Sequence, residues 1–155
     1  MKKIAKIALA LALVLSTVLA LTACSLDTLK SKLPWNKDDL GGADEIWKTA
    51  SYDSDSVLGE GSKALSVRIE DTKKQVTFTI HTDKETVGEA LIEHNLINGE
   101  EGAYGLYVKV ANGVLADYDK DGSYWAFYIE DEYAMTGVEA TAIEEGVLYR
   151  LVYTK

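Results

Sequence analysis

The chain has one cysteine (Cys24), one proline (Pro34), two histidines (His81 and His94) and two phenylalanines in 155 residues. One thiol excludes an internal disulfide and any Cys-rich metal or redox motif. Two histidines separated by twelve residues do not form a metal-type pair, and neither has a nucleophile nearby in sequence. No serine sits in a nucleophile elbow, and acids such as Glu130-Asp131-Glu132 and Glu144-Glu145 read as solvated turn residues. Basic residues are also scarce, 16 against 25 acids, for a formal charge of −9. Such a balance opposes binding to nucleic acid or anionic lipid headgroups. The expectation is a binding protein and not an enzyme.

The single cysteine stands in an informative place. Lys2, Lys3 and Lys6 precede an apolar run from Ile7 to Leu21, which ends in Leu21-Thr22-Ala23-Cys24. A basic start, an apolar stretch of this length and a small-residue site make residues 1–23 a signal peptide. An aliphatic residue, a small pair and then cysteine resemble a bacterial lipobox, so Cys24 is expected to carry lipid. Two acyl chains anchor far more firmly than one, at ~0.8 kcal/mol per buried CH₂. The expected location is extracytoplasmic, on a bacterial cell membrane. Loss of three signal lysines changes the formal charge from −9 to −12.

Residues 24–57 are polar, rich in Asp, Ser and Lys, and carry the only proline. They read as a lipidated N-terminus and tether, spanning ~30 Å as a flexible coil. Trp35 and Trp47 are unusual in a tether, and Trp47 with Ile46 and Tyr52 could dock on the domain or on a ligand.

From residue 58 the pattern is that of a folded domain. Leu65, Val67 and Ile69 alternate with polar residues, and so do Val76, Phe78 and Ile80 after the polar turn Asp71 to Gln75. Two half-buried strands joined by a short turn make a hairpin. Thr86 and Glu89 form a capping-box pattern, and Val87, Ala90, Leu91 and His94 fall on one helical face, with Asn98-Gly99 as the stop. Further strands are predicted over 104–110, 123–130 and 148–153. Hairpin, helix and later strands imply an α+β fold, a β-grasp-like mixed sheet with one helix packed on one face.

The runs Gly105 to Val108, Tyr124 to Ile129 (YWAFYI), Tyr133 to Val138 (YAMTGV) and Ile143 to Gly146 (IEEG) resemble the transcobalamin-like C-terminal domain family, DUF4430, as does the helix Thr86 to Leu91. The resemblance spans residues 58–155. It departs from the family where Glu130-Asp131 replaces the usual Asn-Gly turn after the aromatic strand. That family is similar to one half of the clamp that vitamin B12 carriers close over a corrinoid. It implies a small-molecule ligand, with a corrinoid among the candidates, and a transporter as a partner. The alternative is a surface module that binds a protein or glycan and no small ligand.

Alternation assigns Leu106, Val108, Trp125, Phe127 and Ile129 to the core face with the hairpin's apolar residues. Arg68, Thr77, Thr79, His81, Tyr107, Lys109, Tyr124, Tyr128 and Arg150 are then expected on the opposite face. Tyrosine offers contact area with a polar tip. The ligand-binding candidates are Tyr107, Tyr124, Trp125 and Tyr128, Trp125 because the resemblance places its neighbourhood at a ligand edge. Residues 117–122, DYDKDG, have the spacing that opens a calcium loop, but the twelfth position is Tyr128 and not the bidentate glutamate such a loop needs. They read as an acidic turn, with calcium the lesser alternative and no resident cofactor expected.

Overall fold

The computed structural model describes residues 45–103 and 105–155. The signal peptide, Cys24 and Trp35 lie outside the described residues.

The predicted hairpin forms from β2 (Lys63–Glu70) and β3 (Gln75–Thr82), in antiparallel register from Lys63↔Thr82 to Glu70↔Gln75. Asp71 closes it, its carboxylate accepting from the N–H groups of Lys73 at 2.8 Å and Lys74 at 2.7 Å. An acidic side chain bonding its own loop backbone is the reason aspartate favours turns. Leu65, Val67, Ile69, Val76, Phe78 and Ile80 are all fully buried on one face, as the period of two demands.

Helix α1 (Val87–Glu93) starts on the predicted capping box: Thr86 Oγ1 accepts from Glu89 N–H at 3.3 Å and the Glu89 carboxylate accepts from Thr86 N–H at 3.3 Å. The Glu85 N–H, at 3.2 Å, and the Thr86 N–H, both donating to it, hold the Glu89 carboxyl below its usual pKa. Val87, Ala90 and Leu91 are fully buried, and burying each large one contributes roughly 1.5–3 kcal/mol. The helix stops earlier than Asn98-Gly99. Asn95 takes a left-handed φ of 54°, its N–H donates to Ile92 C=O and Leu96 N–H donates to Leu91 C=O, both at 2.9 Å. That pair of bonds is a Schellman stop.

Strand β7 (Tyr124–Ile129) pairs antiparallel with β9 (Leu148–Thr154), and β9 runs parallel to β2. With β1 (Ser56–Gly59) parallel to β3, and β8 (Glu132–Tyr133) on the far edge, the order is β1-β3-β2-β9-β7-β8. The hairpin and the last two long strands, with β2 and β9 parallel at the centre, are the expected β-grasp arrangement. Glu130 holds the β7–β8 turn at φ 54° without the glycine or asparagine that conformation favours. Its carboxylate is fixed by Leu148 N–H at 2.8 Å, and Arg150 bonds Asp131 at 3.0 Å.

Two expectations are corrected. Residues 45–57 are not a tether: a 3-10 turn at Trp47–Thr49 buries Trp47 to 4% exposure, Tyr52 packs edge-on against Phe78 at 5.4 Å, and β1 joins the sheet. Apolar area from Trp47 and Tyr52 outweighs the polar composition around them. The strand carrying Tyr107 and Lys109 does not belong to the main sheet. It is β5 (Gly105–Ala111), central in a second, three-stranded sheet between β4 (Ile97–Gly102) and β6 (Val114–Leu115). Asn98-Gly99 is a bulge in β4, and a side chain at Gly99 would strike the Tyr107 carbonyl. The turn from β5 to β6 is Asn112-Gly113, with φ of 48° and 77°, a two-residue turn of the type that suits strand twist.

Candidate functional site

The small sheet leaves part of β5 without a neighbour. On the side away from β4, only Val110 and Ala111 pair with β6. On the side of β7 away from β9, only Tyr128 and Ile129 pair with β8. The two unpaired stretches, Gly105 to Val108 and Tyr124 to Phe127, line one cleft of about 420 Å³. Two backbone groups along them are engaged: Phe127 C=O accepts from Ala134 N–H at 3.0 Å, and Leu106 N–H donates to Glu139 Oε2 at 2.8 Å. An unpaired strand edge presents backbone donors and acceptors ready for another partner.

The loop from Tyr133 to Val138 completes the wall. Thr141 pins that loop, its hydroxyl donating to Gly137 C=O at 2.9 Å and lying 3.1 Å from the Thr136 hydroxyl. Met135, at 96% exposure, and Tyr133 stand at the open side. Among the described residues the lining has no charged side chain of either sign. It is aromatic and aliphatic, with Tyr hydroxyls and Thr136 as its polar tips, so the chemistry it supports is binding.

Tyr107, Tyr124 and Trp125 therefore line one cleft, at the edges of two sheets and not on one shared sheet face as alternation implied. Tyr107 reaches it from the second sheet, and Tyr124 from the start of β7, where its ring stands edge-on to Tyr118 at 6.4 Å. Trp125 is both core and lining: it is 6% exposed and its indole N–H donates to Val114 C=O at 3.2 Å. Tyr128 is the exception. It does not line the cleft: its ring stands farther along the same face of β7 as Tyr124, edge-on to Tyr133 at 5.4 Å and 5.5 Å beneath the Arg150 guanidinium. Arg150 is committed to a bridge at 2.6 Å with Glu70, which is 8% exposed. The face carrying Tyr128 is thus a cross-strand network.

Sequence reasoning assigned Val108 and Phe127 only to the core, and it treated Tyr133 to Val138 as a family signature without a role. Met135 carried a signal, being the only methionine besides Met1.

The acidic run 117–122 is scaffold. Asp117 N-caps a single helical turn, α2 (Tyr118–Asp121), and Gly122 ends it at φ 79°. Asp121 accepts from the Ser123 hydroxyl at 2.5 Å and from Lys155 at 2.9 Å. The Ser123 hydroxyl, Lys155 and Ser123 N–H bring its pKa down to about 2. Among the described residues no three His, Cys, Asp or Glu side chains are grouped as metal ligands.

A second cavity, of about 400 Å³, lies beside the end of β3 and the end of α1, and both histidines line it. His94 packs there as expected, its Nε2 buried without a hydrogen-bond partner, 3.9 Å from the Glu93 carboxylate and adjacent to Gly59. The cavity mixes Lys84 with Glu60, Asp83 and Glu93, and Lys84 pairs with Glu93 at 3.7 Å. It presents no single charge or apolar surface to a ligand.

Among solved structures, a "putative metal binding protein" from Ruminococcus gnavus ATCC 29149 is similar at a TM-score of 0.56 and 26% identity, over 61% of this chain and 98% of that one. Haptocorrin in complex with Cbi gives a TM-score of 0.44 and 17% identity, over 63% of this chain and 26% of that one. A search of curated proteins returned no match. Residues 84–147, which supply α1, the unpaired edges of β5 and β7 and the loop between Tyr133 and Val138, match the family model described as Domain of unknown function (DUF4430).

Proposed function

We propose that this chain is a lipid-anchored extracytoplasmic protein that holds a small ring-shaped ligand in the β5–β7 cleft, a corrinoid being the sharpest form of the reading. The observation that carries it is the convergence of Tyr107, Tyr124 and Trp125 with two unpaired strand edges on one cleft of about 420 Å³. Stacking surface with a few fixed polar groups is the composition of a small-molecule site. The description of the Ruminococcus gnavus relative as metal binding fits in a particular way. Among the described residues the cleft lining has no carboxylate or imidazole to hold a bare ion, so a metal would enter inside a complex that brings its own donors. The cleft covers one side of such a ligand and leaves the other for a receiving partner, in this reading a transporter. Cys24 would carry the lipid that holds the protein at the membrane.

The test is titration of the intact chain, purified in detergent, with cobinamide and cobalamin, followed by calorimetry and visible absorbance. Saturable heat with a spectral shift is expected. A flat response up to high micromolar ligand would remove the corrinoid. Lipidation is checked separately by palmitate labelling in cells, which Cys24→Ser should abolish.

A further inference from the structure

We propose that the cleft reads the periphery of its ligand, accepting amides and rejecting the corresponding carboxylates. The inference rests on the small-ligand reading above. Its basis is what the cleft walls offer for hydrogen bonding.

Among the described residues, Gly105 to Val108 and Tyr124 to Phe127 have no strand neighbour on their cleft sides. A bare strand edge presents N–H and C=O groups in alternation, at ~3.3 Å per residue. A primary amide carries a donor and an acceptor, so it can satisfy either backbone group. An ionised carboxylate only accepts. Against such an edge it meets carbonyl oxygens as well as N–H groups, and each unfavourable meeting costs the desolvation of both.

The side chains add to the bias. Among the described residues no lysine or arginine lines the cleft to offset the desolvation of an anion. Glu139 places a negative charge at the β5 wall: its Oε2 accepts from Leu106 N–H at 2.8 Å and lies 3.1 Å from where a Cβ on Gly105 would stand. That bond also removes one of the few backbone donors, leaving the β5 edge richer in acceptors. The chain as a whole is at −9, a field that repels anions before contact. On the β7 edge the Ala134 N–H takes the Phe127 carbonyl, so the shortage of donors is confined to the β5 edge, where it acts in the same direction as the charges.

The experiment compares two probes on one ring system, cobinamide, whose rim bears amides, and cobyrinic acid, whose rim bears carboxylates. Both are titrated into the intact chain at neutral pH and fixed ionic strength. Cobinamide should bind at least about 100-fold more tightly, the scale of rejection by a site left with unpaired polar groups. Two variants then move the ratio. Glu139→Gln keeps an acceptor for Leu106 N–H and removes the charge, and Met135→Lys adds a cation at a position 96% exposed. Each should strengthen cobyrinic acid binding and narrow the gap about 10-fold, as one added favourable charge contact does. Equal affinities for the two probes would overturn the inference and leave the small-ligand reading standing. An unaltered ratio in both variants would overturn the electrostatic half of it. If neither probe binds, the inference and the corrinoid reading fall together.

Discussion

The side-chain amide of Asn112 hydrogen-bonds both backbone polar groups of Tyr52, accepting from its N–H at 2.9 Å and donating to its C=O at 2.8 Å. Asn112 is fully buried, holds a left-handed φ of 48° and takes Ser51 N–H on its own carbonyl at 2.9 Å. One residue thus makes the β5–β6 turn and fastens the segment before β1 to it. Asn112→Ala leaves two buried backbone groups unsatisfied and puts a Cβ-bearing residue without local hydrogen bonding at positive φ. A loss of about 2–4 kcal/mol is expected by urea denaturation. Asn112→Gly keeps the turn and should retain part of the stability, which separates the turn from the amide clasp.

Cutting the chain at residue 58 removes Trp47, Tyr52 and two residues of β1. Trp47 is 4% exposed and has Lys74 5.1 Å above its ring, so its removal opens the core beneath it. A protein starting at residue 58 should melt well below one starting at residue 45, compared by thermal circular dichroism. Equal melting temperatures would restore the tether reading of residues 45–57.

Asp121 makes acid stability dependent on the 117–123 turn. Its carboxyl is depressed from 3.8 to about 2 by Ser123 and Lys155. A depressed folded-state pKa contributes stability above the unfolded value, and that contribution fades as pH falls from about 4 to about 2. Asp121→Asn should therefore melt below the unmodified protein at pH 7. The difference should shrink through that window and vanish below it. A constant offset from pH 7 to pH 2 would show that the turn depends on shape and not on charge.

The cleft and the Arg150 face should separate by mutation. Tyr124→Ala removes a ring from the cleft wall, and cobinamide affinity should fall about 10-fold, or ~1.4 kcal/mol. Tyr128→Ala acts outside the cleft lining, where its ring contacts Tyr133 and Arg150, and should leave affinity nearly unchanged while lowering the melting temperature. Equal losses of affinity would place the ligand elsewhere.

Much of the fold was legible because its signals are local. The alternation of Leu65, Val67 and Ile69 with Val76, Phe78 and Ile80, and the Thr86–Glu89 box, each involve residues within a turn or a strand of one another. The Asn112-Gly113 turn was equally local and was overlooked beside Asn98-Gly99, an identical dipeptide that forms a bulge and not a helix stop. Asn112-Gly113 takes positive φ at both residues and Asn98-Gly99 at neither, so the dipeptide permits the tight turn without dictating it. The tether boundary was misplaced because composition averages over a segment, whereas burial of Trp47 depends on one side chain finding a partner surface.

Three of the four proposed residues, Tyr107, Tyr124 and Trp125, line the candidate cleft, for a reason that alternation did not supply. Period two tells which face of its own strand a residue occupies, and it correctly set Tyr128 apart from Trp125. It does not tell which sheet a strand joins, so Tyr107 was assigned to the face of a sheet that does not contain it. Sequence by itself determined the hairpin, the capped helix, the aromatic strand and the absence of cysteine chemistry after Cys24, since each depends on residue identity or short-range spacing. Only the tertiary structure decided that β5 leaves the main sheet, that β8 is too short to cover β7, and that the two bare edges share a cleft. A strand has an unpaired edge only relative to strands far away in the chain, and no local pattern records which pairings are left unmade.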